Sequence, residues 1–238
     1  MFDHVTIRVS DRATSERFYA TVLGSDPTHS DSVFAEWDDF SLAEADAEHP
    51  PTQRLHVGFV ASSRARVDEF HRAGIAAGYR DDGAPGPRPQ YRSDYYGAFL
   101  LDPDGNSAEA VNHGALRRGG TIDHLWIRVA DLDASRAFYE TLAPEGGWQV
   151  RSRVPDRVTV LGDSGSFSLV PGTPTEHVHM AFPAGDNAAV DAFHYAAMHA
   201  GYRDNGAPGE RAVYHRGYYA AYVLDPDGHN IELVNHNR

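Results

Sequence analysis

Two histidines and a glutamate recur in this chain at a spacing that could hold a metal ion. His4, His56 and Glu109 stand 52 and 53 residues apart, and His124, His179 and Glu232 stand 55 and 53 apart. Each sits in a short run of alternating polar and apolar residues. Such a run reads as a half-buried strand, on which residues two apart share a face. Two imidazoles and one carboxylate from three separate strands form a two-histidine-one-carboxylate ligand set, suited to a borderline divalent ion. Three protein ligands leave coordination positions open for water, oxygen or substrate. A metal partner also accounts for a glutamate inside the apolar run "IELV" at 231–234, where an unpartnered carboxylate loses its hydration.

The elements that must position these residues come from a duplication. "DHVTIRVSDRATSERFYATVLG" at 3–24 returns as "DHLWIRVADLDASRAFYETLAP" at 123–144, and "HRAGIAAGYRDDGAPG" at 71–86 returns as "HYAAMHAGYRDNGAPG" at 194–209. "LDPDGNSAEAVNH" at 101–113 returns as "LDPDGHNIELVNH" at 224–236. A period near 120 residues is a doubled domain rather than a solenoid. The boundaries follow: a first module over 1–116, a linker over 117–121 within the basic "LRRGGT" stretch, and a second module over 122–238. In each module a strand leads to a helix capped by Ser10 or Asp11, or by Asp131. The helix stripes run through Thr14, Phe18 and Val22, or Ala134, Phe138 and Leu142. Short alternating runs follow, then the pattern restarts. Each half therefore reads as two β-α-β-β-β units, and the fold class is α+β.

Composition removes several function classes. The net charge is −13 with no long basic run, which argues against nucleic acid or an anionic membrane as partner. No apolar stretch approaches the roughly 18 residues of a membrane span, and nothing at the start resembles a signal peptide. Without cysteine the chain has no disulfide, thiolate ligand or cysteine nucleophile. The expectation is a soluble, cytoplasmic protein.

The paired β-α-β-β-β units, the "DH" opening each module, the second histidine and the terminal "LDPDG…E" resemble the vicinal oxygen chelate superfamily. Its members include glyoxalase I, extradiol ring-cleaving dioxygenases, fosfomycin-resistance transferases and bleomycin-binding proteins. The resemblance implies that each module curls into an open, cup-like mixed β-barrel with helices outside and a divalent metal on the concave face. It implies His4, His56 and Glu109 as ligands in one module, and His124, His179 and Glu232 in the other. Relatives exist in which half-modules exchange, so His4 could instead join His179 and Glu232 while His124 joins His56 and Glu109. Both groupings give complete triads, and the choice stays open.

Glyoxalase I typically adds a glutamate from the fourth strand of a module. Here those strands are Phe40-Ser41-Leu42-Ala43 and Phe167-Ser168-Leu169-Val170, without an inward carboxylate. The second module instead resembles the extradiol signature: "VYHRGYYAAYVLDPDGHNIE" carries His215, Tyr222, Asp225, Pro226, Gly228 and Glu232 in its order and spacing, departing at Ala221. This implies His215 and Tyr222 as acid/base and hydrogen-bonding groups beside iron(II). The first module has Arg92 and Phe99 there. Arginine cannot act as a base and phenylalanine cannot donate, so the second module is the expected reacting one. Arg8 and Arg128, in phase with the first-strand histidines, are candidates for an anionic substrate group, or else form a salt-bridged rim. Trp126, replaced by Thr6 in the first half, is a candidate wall for an aromatic substrate. The glycine-rich stretches at 82–88 and 205–211 read as loops, and His71 and His194 as solvated helix residues.

The leading expectation is a divalent-metal enzyme acting on a small oxygen-chelating substrate, with extradiol-type chemistry. Iron(II) is the first choice of ion, and manganese, zinc, nickel or cobalt also suit the ligands. A glyoxalase-type Lewis-acid isomerase or lyase and a non-enzymatic drug-binding module are the alternatives. A homodimer is compatible with all three.

Overall fold

The computed structural model describes residues 1–117 and 119–237, so Arg118 of the expected linker lies outside the described residues. Four β-α-β-β-β units follow one another along the chain. The first is β1 (His4–Val9), α1 (Arg12–Leu23), β2 (His29–Ser30), β3 (Phe34–Trp37) and β4 (Phe40–Glu44). The second is β5 (His56–Val60), α2 (Arg64–Ala76), β6 (Arg80–Pro87), β7 (Tyr96–Leu101) and β8 (Ser107–Asn112). The third is β9 (Ile122–Val129), α3 (Leu132–Gly146), β10 (Gln149–Val154), β11 (Arg157–Leu161) and β12 (Ser166–Pro171). The fourth is β13 (Val178–Pro183), α4 (Asn187–His199), β14 (Arg203–Glu210), β15 (Tyr219–Leu224) and β16 (Asn230–Asn235). The α+β class and the doubled unit are as the sequence pattern predicts.

Among the described residues, sixteen strands form two mixed sheets of eight with open strand orders: β14-β15-β16-β13-β1-β4-β3-β2 and β10-β11-β12-β9-β5-β8-β7-β6. Two compact units divide the chain. Unit I gathers Met1–Val5 with Ile127–Arg238, and unit II holds Thr6–Trp126, so β1 and β9 each straddle a boundary. No helix among the described residues is long and apolar enough to cross a membrane.

Each unit has an aromatic core under its helices. In unit II, α1 buries Phe18, Tyr19 and Val22. Tyr19 packs edge-on against Phe40 at 4.8 Å between ring centroids, and Phe40 against Phe59 at 5.0 Å. In unit I, Tyr139 meets Phe167 at 5.1 Å and Trp148 meets Phe182 at 4.7 Å. The helices start at Asp11, Ser63, Asp131 and Asp186, whose side chains each accept a backbone N–H of the first turn.

The "DPDG" turns tie the core to the strand that carries each glutamate. The buried Asp102 accepts the Tyr19 hydroxyl at 3.0 Å and the Asn106 backbone N–H at 2.8 Å. Asp225 repeats this with the Tyr139 hydroxyl and the His229 N–H, at 3.2 and 2.9 Å. The second aspartate of each turn accepts a backbone N–H just after the first strand: Ser10 to Asp104 at 3.0 Å, Ala130 to Asp227 at 3.1 Å. Start of β8 and end of β1, like start of β16 and end of β9, are thereby pinned.

Two readings of the sequence are corrected. The stretches at 82–88 and 205–211 lie mostly in strands, β6 and β14, which are sheet edges. An edge tolerates proline and glycine because half its ladder is unpaired, and the register slips at Gly83 and Gly206 mark bulges. His71 and His194 are mostly covered and bond Asp81 and Asp204, each at 2.9 Å. They staple a helix to the edge strand beside it.

Replacing Tyr19 with phenylalanine strands a buried carboxylate without one donor. The expected cost is about 1–3 kcal/mol, read as a lower urea midpoint at unchanged slope. Tyr139→Phe should behave alike, and a change below about 0.5 kcal/mol in both would show that the turns do not depend on this bond.

Candidate metal centre

Two groups of side chains converge, and among the described residues only these two offer three or more metal-ligating donors within 4.8 Å of one another: His4, His179 and Glu232, and His56, Glu109 and His124. Each triad therefore takes its first-strand histidine from one sequence repeat and its second histidine and glutamate from the other. Each lies within one compact unit, the Glu232 site in unit I and the Glu109 site in unit II.

Strand register builds the Glu109 site. Glu109 on β8 stands opposite Gly58 on β5 in a parallel pair, and Gly58 stands opposite His124 on β9. His56, two residues before Gly58, shares its face. A Cβ at Gly58 would lie 2.4 Å from His124 Cε1, so the glycine leaves the space that the imidazole fills. His56 Nε2 is 3.1 Å and His124 Nε2 3.4 Å from Glu109 Oε2. In the Glu232 site, Ala181 on β13 stands opposite Glu232 on β16. His4 Nε2 and His179 Nε2 are 3.1 Å apart, and they lie 3.6 and 3.0 Å from Glu232 Oε2. Two ligand atoms bound at about 2.1 Å are separated by about 3.0 Å at a right angle and about 3.4 Å at the tetrahedral angle. The observed spacing fits an ion, with a small adjustment at His4.

Both glutamates are 1% exposed. Burial opposes ionisation, but the facing imidazoles of His124 and His56 outweigh it and hold Glu109 down at about 2. Glu232 is lowered in the same way, with His179 and His4 against its burial. Burial likewise disfavours charge on His124, yet Asp123 and Glu109 push it up to about 9. The other oxygen of each glutamate is taken by a tyrosine, Tyr218 to Glu232 Oε1 at 2.6 Å and Tyr95 to Glu109 Oε1 at 2.8 Å. Burial and the adjacent carboxylate raise both phenols, which stay protonated as donors. Oε2 is left to face the imidazoles.

A further layer orients the first-strand histidines. Asp3 holds His4 Nδ1 and Asp123 holds His124 Nδ1, each at 2.9 Å, turning Nε2 toward the carboxylate. Behind Asp3, His236 Nε2 lies at 2.8 Å, and His236 Nδ1 meets His215 Nε2 at 2.9 Å. His215 thus reaches the triad through His236 and Asp3. Behind Asp123 the matching His113 accepts the Ala115 backbone N–H on Nδ1, at 3.2 Å, and the chain stops there.

The remaining predicted residues divide between the two sites. Tyr222 stands opposite Glu232 in the ladder, its ring 6.3 Å from that of His179, and Arg211 covers its face at 5.4 Å. Phe99 takes that place opposite Glu109. Trp126 stands opposite His56, so it belongs to the Glu109 site, with Tyr91 edge-on to it at 6.0 Å. Arg8 donates to the Glu44 carbonyl at 3.0 Å, and Arg128 is exposed beside Gly172. On β4 and β12 the positions that could have offered a further carboxylate hold Ser41, bonded to Thr6 at 2.7 Å, and Ser168. Sequence reasoning gave no role to Tyr95, Tyr218, Asp3, Asp123, His113 or His236. Their signal was retention of the same residue in both repeats.

The family description "Glyoxalase/Bleomycin resistance protein/Dioxygenase superfamily" matches residues 1–110 and again 121–233. The chain belongs to that superfamily. Glyoxalase I from Zea mays is similar over 99% of this chain and 92% of its own, at 18% identity and a TM-score of 0.74. The structure of a putative dioxygenase from Bacillus subtilis subsp. subtilis str. 168 is similar over 100% of this chain and 85% of its own, at 15% identity and a TM-score of 0.67. At these identities the likeness is one of fold. No curated protein sequence matches the chain. Members of the superfamily, glyoxalase I among them, bind divalent metals, and both triads here could hold one.

Because His124 titrates near 9, an ion entering the Glu109 site must displace its proton at neutral pH. Below about 9, affinity should therefore rise with pH, about tenfold per unit between pH 6.5 and 8.5. Zinc titration of a Glu232→Ala variant measures this, and a flat profile would contradict it. Gly58→Val should abolish zinc binding in the same variant, while leaving it in Glu109→Ala unless the strand itself is lost.

Proposed function

We propose that the protein is a divalent-metal enzyme acting on a small molecule that chelates through two neighbouring oxygens, with the Glu232 site as the reacting centre. The observation that carries this reading is the convergence of two imidazoles and one buried carboxylate, with no fourth ligating side chain grouped with them among the described residues. His4, His179 and Glu232 would hold the ion there, and His124, His56 and Glu109 in the other site. When bound, the ion supplies a Lewis acid and, as iron(II), a centre open to dioxygen chemistry. Extradiol-type ring cleavage is the chemistry favoured, because Tyr222 and His215 accompany only the Glu232 site.

In this reading the chain's own groups handle protons and orientation. Tyr218 fixes Glu232 through Oε1. Burial, followed by the Glu232 carboxylate, raises the Tyr222 phenol, so it serves as a hydrogen-bond donor at neutral pH. His215 donates from Nδ1 to the Arg216 carbonyl at 2.9 Å, and His236 donates from Nε2 to Asp3. The facing nitrogens of the two rings lie 2.9 Å apart, so His215 is linked through His236 to the Asp3 carboxylate behind His4. Trp126 walls a ligand at the Glu109 site, and Arg8 and Arg128 are candidates for an anionic substrate group.

The second reading is a Lewis-acid isomerase or lyase on the same triad, favoured by the exchanged grouping of ligands with a whole-chain likeness to glyoxalase I. Oxygen uptake by iron-loaded protein over a panel of catechols separates the two. The first reading expects uptake that Glu232→Ala abolishes, and expects Tyr222→Phe to lower kcat about 100-fold or more with its metal retained. Metal uptake without oxygen consumption would favour the isomerase. Protein that takes up none of iron, manganese, zinc, nickel or cobalt would favour sequestration of a drug or metabolite.

A further inference from the structure

The two oxygens of each triad glutamate are held toward opposite sides of the strand that carries it. In unit II the strands run β9-β5-β8-β7, so Glu109 on β8 has both imidazoles on one side, from β5 and β9. Its Oε2 faces them, 3.1 Å from His56 Nε2 and 3.4 Å from His124 Nε2. On the other side Tyr95, the residue before β7, donates its hydroxyl to Oε1 at 2.8 Å. A Cβ at Gly97 on β7 would lie 2.4 Å from Oε1, so that oxygen rests over the β7 backbone. Unit I repeats the arrangement in the order β15-β16-β13-β1. Glu232 Oε2 faces His179 and His4, and Tyr218, the residue before β15, donates to Oε1 at 2.6 Å.

Both tyrosines are buried and braced. Tyr95 stacks on His113 with ring centroids 5.4 Å apart, and Tyr218 meets His236 edge-on at 5.2 Å. A carboxylate only accepts, so each phenol must be the donor. A bond from a buried hydroxyl to an ionised oxygen is of the strong, charge-assisted kind. Turning Oε1 toward the imidazole side would break that bond and leave a buried hydroxyl without its acceptor.

We propose that Tyr95 and Tyr218 are positioning residues that keep each triad glutamate a one-oxygen ligand. The proposal rests on the triads holding metal and deepens that reading. On a six-coordinate ion, two imidazoles and one carboxylate oxygen leave three positions. A chelating substrate takes two of them, and the third stays free for dioxygen or water. With both glutamate oxygens engaged only two positions remain, and the chelate fills them. The tyrosine hydroxyl thereby decides whether the site has room for oxygen chemistry beside a bound chelate.

Manganese(II) alone is the probe, and the number of exchangeable waters on it is read from the relaxation rate of water protons. Glu232→Ala keeps the Glu109 site, and Glu109→Ala keeps the other. Each background should hold about three waters per bound ion. Tyr95→Phe in the first, or Tyr218→Phe in the second, should lower this by about one. The Glu109 site decides most cleanly. Phe99 stands opposite Glu109, and among the described residues Tyr95 is the one hydroxyl that donates to it. An equal water count with and without the tyrosine hydroxyl would overturn the proposal. A second measurement needs no tyrosine variant. In the infrared difference between manganese-loaded and metal-free backgrounds, one-oxygen binding widens the gap between the two carboxylate stretches, and two-oxygen binding narrows it. A narrowed gap in either background would overturn the proposal even if the tyrosine variants fail to fold. Manganese bound by neither background would overturn the metal reading and the proposal with it, whereas bound manganese with unchanged water counts sinks the proposal alone.

Discussion

A carboxylate held 1% exposed in a sheet must face positive or donating partners, and the arrangement of both sites follows from that constraint. Glu109 and Glu232 meet it by spending one oxygen on a tyrosine and presenting the other to two imidazoles. The imidazoles come from the strand parallel to the glutamate's own and from the strand beyond it, so three neighbouring strands must keep register to within a residue. A slip of one would turn every ligand to the opposite face. Gly58 shows how closely the strands are used, since a single methyl group there would overlap the His124 ring.

The doubled "DPDG" turn serves that register. Its first aspartate joins the turn to a helix tyrosine in the core, and its second joins it to the backbone that leaves the first strand. The glutamate sits seven residues beyond the first aspartate in both copies, and so inherits a fixed starting point. Repetition has preserved this scaffold and both triads, while the surroundings have diverged. Tyr222 and His215 accompany one triad, and Phe99 and Trp126 stand by the other.

Much of this was legible in the sequence. The repeat, the four β-α-β-β-β units and the strand phase of all six triad residues follow from periodicity and spacing. The grouping of the ligands was not legible, because one triad per repeat and one triad across repeats use the same residues at the same spacing. Strand order in the sheets decides between them, and strand order is a long-range property. The edge strands β6 and β14 were hidden by composition: glycine and proline read as loop until an unpaired edge makes them tolerable. Tyr95, Tyr218 and Asp3 had no motif of their own and are explained only by the carboxylate and imidazole they touch.

Pairing across the repeats is the claim from which the site chemistry descends, and metal stoichiometry in two double variants tests it directly. His4→Ala with Glu232→Ala damages one site only in the arrangement described, so the zinc-loaded protein should retain one ion per chain. His4→Ala with Glu109→Ala damages both, and should retain none. The opposite outcome, one ion kept by the second variant and none by the first, would place each triad within a single repeat and contradict the account.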